Sequence, residues 1–486
     1  MSRTKIVATI GPATASAEAL TALKTAGMNM ARLNGSHADL DWHAATIGLI
    51  RATLPDLPIL LDIPGRKIRT IQLAHEPEFA AGATLVLTTD TDHDGREKVP
   101  VNYANLHADV QVGQAILADD GTLRFTVIEV SGRDIVCRAE SAGRLKSRKG
   151  INVPNVRLNT ALVTERDHRM VAFARELGVD FIGISFVESA EHVQAIRTLA
   201  GGASPRILAK IENQGGLDHM DEVLAAADAV MIDRGDLSVE TNVESVAVFQ
   251  KLILAAARRH GKPVVVATEM LHSMIVNNFP TKAEITDITN AVLDGCAATM
   301  LSGETAVGAF PIEAVATMRR IADVAEDHLQ RVLDHDAPAR DGGASPARPS
   351  VPQAMEDAVA LVCRSLPITK IVVATISGYA ARMVAARQPR QPILAVSPDP
   401  ATARALNLLA GTEGLHVDVR FSRTSTDHIV TCLQHLWRAG RLTGDDLILV
   451  TAVGYPRSGT RMNLIQTHYV RDLVETLGWT MEPGRP

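Results

Sequence analysis

Eight short apolar runs rich in β-branched residues recur along the chain up to residue 305, and they constrain the fold more than any other feature. They occupy residues 5–11, 28–34, 58–63, 181–186, 206–212, 229–236, 263–268 and 297–305. Their hydrophobicity is continuous rather than alternating, the pattern of parallel strands covered on both faces. Segments with helical spacing, such as 16–26 and 165–177, lie between them. Eight such strand and helix units predict a (β/α)8 TIM barrel.

The third and fourth runs are separated by far more than one helix. Residues 70–155 carry strand-like pieces broken by turn signals (ATLVLTT, AILADDGTLRFTVIEV, DIVCRAES), so a small β domain is expected to interrupt the large barrel. The barrel is then assembled from residues 1–69 and 156–335. A stretch rich in Pro, Gly, Ala and Asp at 336–352 reads as a linker, and helix and strand patterns alternate again over 353–486. The expected class is therefore α/β, with a C-terminal α/β domain.

The length of 486 residues accommodates this plan at roughly 150 residues per domain. A net charge of −6 and an aromatic content of 3% supply neither the field nor the stacking platform of a nucleic-acid partner. No run reaches the roughly 20 apolar residues of a membrane span, and the basic N-terminus has too short an apolar run for a signal peptide. Cys137, Cys296, Cys363 and Cys432 are spaced for neither a metal site nor a disulfide framework. Buried, reduced thiols and a cytoplasmic location are expected.

A barrel of this kind works at the C-terminal ends of its strands. Those ends read Thr9, Asn34 with Ser36, Asp62, Ser185, Lys210 with Glu212, Asp236, Thr268, and Ser302 with Glu304. Glu212 and Asp236, on neighbouring strands, offer hard oxygen donors suited to Mg²⁺ or Mn²⁺. Lys210, two residues before Glu212, is placed to neutralise an enolate or a transferring phosphoryl group. Arg32 supplies a planar donor fork for phosphate. The same set would serve a metal-dependent lyase or aldolase acting on a pyruvate enolate, and a weakly active regulatory relative is a third reading.

The stretches TKIVATIGPAT, GMNMARLNGSHA, KGINVPN, GVDFIGISFV, ILAKIENQGGL, RGDLSVE, KPVVVATEMLHSMI and NAVLDGCAATMLSGETAVGAFP resemble the signatures of the pyruvate kinase family, in the family's order. The resemblance implies that the inserted domain is a small β-barrel lid, and that a homotetramer transfers the phosphoryl group of phosphoenolpyruvate to ADP, giving pyruvate and ATP. It implies that Arg32 holds the substrate phosphate and that Lys210 stabilises charge on the phosphoryl group and the enolate oxygen. Glu212 and Asp236 would bind the divalent metal, backbone N–H groups of Gly235 and Asp236 would meet the substrate carboxylate, and Thr268 would face the enolate carbon. Pro12, Asn34, His37, Arg69 and Lys149 match positions around the nucleotide.

The sequence also departs from that pattern. Lys67 stands where the family commonly has a glutamate, and its ammonium is expected to replace K⁺ beside Asn34, Ser36 and Asp62, making added K⁺ unnecessary. Gly35 replaces a usual phenylalanine, Pro64 and Arg66 alter the turn at Gly65, and Asp233 stands where alanine is usual, with Arg234 or another basic group as its expected partner. Thr375, Ser377 and Gly378 form a turn that could take a phosphate, though an ordinary turn serves equally well.

Overall fold

The structure is a computed structural model that describes residues 3–480 apart from 120, 155, 157, 160, 336–350, 423–424 and 454–461. Each apolar run contributes one strand: β1 (Lys5–Thr9), β2 (Met30–Asn34), β3 (Ile59–Ile63), β4 (Phe181–Ile184), β5 (Arg206–Ile211), β6 (Ala229–Asp233), β7 (Val264–Ala267) and β8 (Ala298–Leu301). They close into one parallel barrel in the order β1-β8-β7-β6-β5-β4-β3-β2. Alternate residues divide the core in two. Val7, Met30, Leu60, Phe181, Leu208, Met231, Val265 and Met300 form one cluster, while Ile6, Leu33, Leu61, Ile182, Ile207, Ile232, Val266 and Leu301 belong to another with residues of the surrounding helices. Both strand faces are thus buried, which is why the runs are continuously apolar.

The helices begin where local chemistry starts them. Ser16 Oγ accepts from Ala19 N at 3.2 Å ahead of the helix Ala17–Ala26, and Thr164 and Asp167 form a capping box ahead of Glu165–Glu176.

After β3 the chain leaves the barrel. Seven strands pair in the order Ile68–Arg69, Gly150–Asn152, Ala115–Ala118, Leu123–Ser131, Asp134–Ala139, Thr84–Thr88 and Val99–Pro100. A bridge between Thr70 and Val101 joins the two end strands, with Asn102 N donating to Arg69 O at 2.9 Å. The sheet therefore curls closed around Phe125, Leu87, Ile116 and Ile135.

Beyond the barrel, β9 (Lys370–Ala374), β10 (Ile393–Ser397), β11 (Thr412–His416), β12 (Leu447–Ala452) and β13 (Leu464–Tyr469) form a sheet in the order β11-β10-β9-β12-β13. Strand β13 runs antiparallel to β12 at the edge and is absent from the sequence reading. Most of the expected linker, 336–350, lies outside the described residues. Ala405 and Leu408 join the inner barrel cluster, so this domain plugs the N-terminal end of the barrel and leaves the C-terminal end facing the lid.

Candidate active site

Lys210 is the centre of the polar set. It ends β5, is 5% exposed, and places Nζ 3.0 Å from Glu212 Oε2, 3.0 Å from Asp233 Oδ2 and 3.3 Å from Ser185 Oγ. Such a pair is no rim salt bridge, since Glu212 is wholly buried. Burial by itself would strip the Lys210 proton, but Asp233, Glu212 and Asp62 hold its pKa well above the usual value. Burial, reinforced by Asp236 and Asp233 and opposed by Lys210, pushes the Glu212 carboxyl up to about 8. Asp233 is also buried, yet its ion pair and hydrogen bond with Lys210 bring it down to about 2.

Asp233 takes the second of the partners expected from the sequence, a basic group other than Arg234. Its partner is Lys210, whereas Arg234 turns away to Asp287, at 2.6 Å, and to the carbonyl of Thr268, at 2.8 Å. Register explains this: Lys210 pairs with Met231, and Asp233, two residues further along the strand, points to the same inner face. Carboxylate oxygens of Glu212, Asp233 and Asp236 lie within 4.8 Å of one another. This is an all-oxygen donor set of three converging carboxylates, two of them buried, so the residues fit a hard divalent cation.

Thr268 follows β7 with φ of 68°, an unfavourable conformation for a β-branched residue. Three bonds hold it there: Oγ1 donates to Ala267 O at 2.6 Å and accepts from Gly235 N at 2.8 Å, and its carbonyl accepts from Arg234. The N–H of Gly235, expected to meet a substrate carboxylate, donates here to Thr268 Oγ1. The strained conformation is thus held in place by its surroundings.

Across the barrel mouth, Arg32 donates through Nε to Asp62 Oδ2 at 2.9 Å and through a terminal nitrogen to Thr9 Oγ1 at 3.1 Å. The carboxylate of Asp62 nestles against Gly183, where a Cβ would come within 1.9 Å of Oδ1. Gly35 has a similar reason to be small, because a Cβ there would strike Met170 Cε at 2.2 Å and Asp62 O at 2.5 Å. The phenylalanine usual in the family has no room.

Lys67 is not where the sequence reading expected it. Its Nζ lies 2.5 Å from Asp236 Oδ1 and 5.5 Å from the centroid of the Phe186 ring, and none of its described ion pairs or hydrogen bonds reaches Asn34, Ser36 or Asp62. Asp62 already has Arg32, whereas Asp236 has no other described ion-pair partner. The turn that delivers Lys67 passes through Gly65 at φ of 60°, and a Cβ there would lie 2.7 Å from Ser185 O. Arg66 pairs with Glu188 at 3.2 Å.

The nucleotide residues expected from the sequence form a looser group. Pro12 and His37 are exposed on loops after β1 and β2, and Asn34 Oδ1 accepts from Ser36 N at 3.1 Å. Arg69 donates to Arg148 O at 3.2 Å, and Lys149 pairs with Asp119 at 2.6 Å. Lys149 is thus on the lid and away from the carboxylate cluster. The lid also meets the barrel through Asn152 Nδ2, which donates to Glu240 Oε1 at 2.5 Å, on the same helix as Asp236. Ser302 and Glu304, counted among the polar strand ends, serve the loops: Glu304 accepts from Ser302 N and Leu271 N.

Comparison with known proteins matches this architecture to one family. Residues 1–315 match the family model of the pyruvate kinase barrel domain, and residues 353–468 match that of the pyruvate kinase alpha/beta domain. A pyruvate kinase of Bacillus licheniformis is 40% identical over 98% of this chain and 81% of its own length. One from Clostridium perfringens is 38% identical over 96% of this chain and 100% of its own. The crystal structure of a pyruvate kinase from Cryptosporidium parvum superposes with a TM-score of 0.85 at 33% identity, covering 96% of each chain. With a barrel carrying Lys210 among three carboxylates, a lid after β3 and both family domains matched in order, the chain belongs to the pyruvate kinase family.

Proposed function

We propose that this chain transfers the phosphoryl group of phosphoenolpyruvate to ADP, giving pyruvate and ATP. The observation that carries the reading is Lys210, a buried ammonium held by two carboxylates at the barrel mouth. There it faces the bridging oxygen, which carries growing negative charge as the phosphorus–oxygen bond breaks. Arg32, fixed by Asp62 and Thr9, presents its remaining donors to the substrate phosphate. Glu212, Asp233 and Asp236 would hold Mg²⁺ or Mn²⁺. When bound, that ion supplies Lewis-acid charge to the substrate oxygens.

The second half of the reaction is protonation of the enolate carbon. Thr268 is held by its three bonds at the face where that proton must arrive; a hydroxyl is a weak acid, so it relays the proton from water. His37, Arg69 and Lys149 flank the nucleotide as the lid closes, and closure excludes water that would otherwise take the phosphoryl group. The Lys67 ammonium supplies fixed positive charge at Asp236, which supports turnover without added K⁺.

Pyruvate formation from phosphoenolpyruvate, ADP and Mg²⁺ tests the reading. Lys210→Met should reduce kcat by about a thousandfold, in the range for removing a charge that acts mainly in the transition state. Absent turnover in the native chain, or full turnover in the variant, would refute it. Self-association into a tetramer is supported by Val248 and Leu252, 56% and 53% exposed one turn apart on the helix Val246–Arg259, and sedimentation checks it. Four buried free cysteines suit a reducing compartment, and no described helix is long and apolar enough to cross a membrane.

A further inference from the structure

The C-terminal domain meets the N-terminal end of the barrel along a seam that contains two cavities, of about 40 and 20 Å³. Arg382, on the helix Tyr379–Ala386, lines both. Lys262, just before β7, lines the larger, and Arg206, at the start of β5, lines the smaller. The larger is several times the roughly 10–15 Å³ that one water requires.

The charges here do not balance. Among the described residues the Arg382 guanidinium makes no hydrogen bond or ion pair, and its Nε is fully buried. Lys262 donates only to the carbonyls of Ala225 and Ala227, and Arg206 only to Ser377 O and Thr402 Oγ1. Asp228, the carboxylate lining the smaller cavity, gives Oδ2 to Arg197 at 2.9 Å and to Ile207 N at 2.8 Å, and its single charge is shared as a partial offset among Arg382, Lys262 and Arg206. Burial and then the Arg382 charge press Lys262 down to about 8, with Asp228 opposing them only in part. A water accepts a hydrogen bond but cannot neutralise such a cluster, whereas an oxyanion does both.

We infer that this seam is a binding site for a free tetrahedral oxyanion of the phosphate class, held by the Arg382 fork and the Lys262 ammonium. A guanidinium suits this role because its donors match two oxygens at once. The site is separate from the Thr375–Gly378 turn, which is closed on itself by Gly378 N donating to Thr375 Oγ1 at 3.0 Å. It is separate from catalysis as well, lying at the opposite end of the barrel strands. An anion bound there ties the two domains together, so its occupancy stabilises their docked arrangement.

Equilibrium dialysis of the full chain against labelled inorganic phosphate tests this. The native chain should bind one phosphate more than Arg382→Met, or bind it about tenfold or more tightly, while the variant keeps the native saturated rate of pyruvate formation. Lys262→Gln should show the same loss, which covers the case in which Arg382→Met fails to fold. Arg382→Lys, with charge but no fork, should be intermediate. Identical phosphate binding by the native chain and both neutral variants would overturn the site, and glycerol phosphate competing as well as free phosphate would overturn its assignment to the free ion.

Discussion

Gly183→Ala adds one methyl group at a point where the structure leaves no space for it. The new Cβ would stand 1.9 Å from Asp62 Oδ1, so the carboxylate must retreat by about 1.5 Å to reach an ordinary contact. Asp62 is 2% exposed, and its Oδ2 lies 2.9 and 2.8 Å from two nitrogens of Arg32. A retreat of that size carries those bonds beyond about 3.2 Å, where they weaken steeply. Overpacking costs about 1–3 kcal/mol, and breaking a buried charge pair costs about 3–5 kcal/mol when no new partner is found. Rotation of the side chain recovers part of this, so about 3 kcal/mol of destabilisation is expected. The functional signature is more specific: Arg32 loses its anchor, and the KM for phosphoenolpyruvate should rise about tenfold to a hundredfold with a smaller change in kcat. Steady-state pyruvate formation and a thermal melt measure both. Gly48→Ala is the control, since nothing lies within 4 Å of its Cβ position on the helix Leu40–Thr53, and it should be neutral or slightly stabilising. A Gly183→Ala chain with native KM and native melting temperature would refute the reasoning.

Two further outcomes follow from contacts near the lid. Burial, opposed by the Asn152 hydrogen bond and by Lys67 and aided by Asp236 and Glu188, pushes Glu240 up to about 7. A carboxyl raised in the docked state binds a proton there that the open state releases, so docking is favoured in acid and weakens as pH rises from about 4.5 to 7, by up to about 1.4 kcal/mol per unit. Hydrogen exchange of Gly150–Asn152, corrected for its intrinsic rate, should accelerate across that window in the native chain and not in Glu240→Gln; equal slopes would count against the link. Lys67→Met removes the ammonium from Asp236 and should lower kcat/KM without K⁺ by about tenfold or more, while the native rate stays insensitive to K⁺. A large K⁺ activation of the native chain would sink that reading.

The barrel was legible because parallel strands buried on both faces leave uninterrupted apolar runs, and each of the eight runs contains a strand. Lys210, Glu212, Asp236 and Thr268 were legible for a related reason: the working end of the barrel follows from strand direction alone. The partner of Asp233 stayed open between Arg234 and another basic group because the choice depends on the register between β5 and β6. The signal was present in part, as an acid at the end of a strand whose neighbour ends in lysine. The destination of Lys67 depends on a turn at positive φ and on which carboxylate already has a partner, and neither is written locally. Strand β13 escaped notice because it is an edge strand, LIQTHY, with polar, mostly unburied positions and no apolar run. The collision at Gly183 joins residues from two strands and is visible only when they are paired.

The charge around the site also decides the order in which ligands bind. Arg32, Lys67 and Lys210 face Asp62, Asp233 and Asp236, while burial keeps Glu212 largely protonated below about pH 8, so positive and negative charges balance before any ligand arrives. Phosphoenolpyruvate is a polyanion, and across the 4.8 Å spanned by the carboxylates one pair of like charges costs about 3 kcal/mol at an effective dielectric of about 20. A divalent cation makes the sum positive, so substrate affinity should rise more than tenfold when Mg²⁺ or Mn²⁺ is present. Asp233 enlarges this dependence, since it adds a negative charge and a donor oxygen at once. Asp233→Ala should therefore weaken Mn²⁺ binding to the free chain by about tenfold to a hundredfold while strengthening cation-free binding of phosphoenolpyruvate. Calorimetric titration of each ligand alone reads the two effects separately, and the opposite directions distinguish a charge effect from simple damage to the fold. If phosphoenolpyruvate binds the native chain equally well with and without the cation, or if the variant loses both affinities together, the electrostatic ordering is wrong and Asp233 merely positions Lys210.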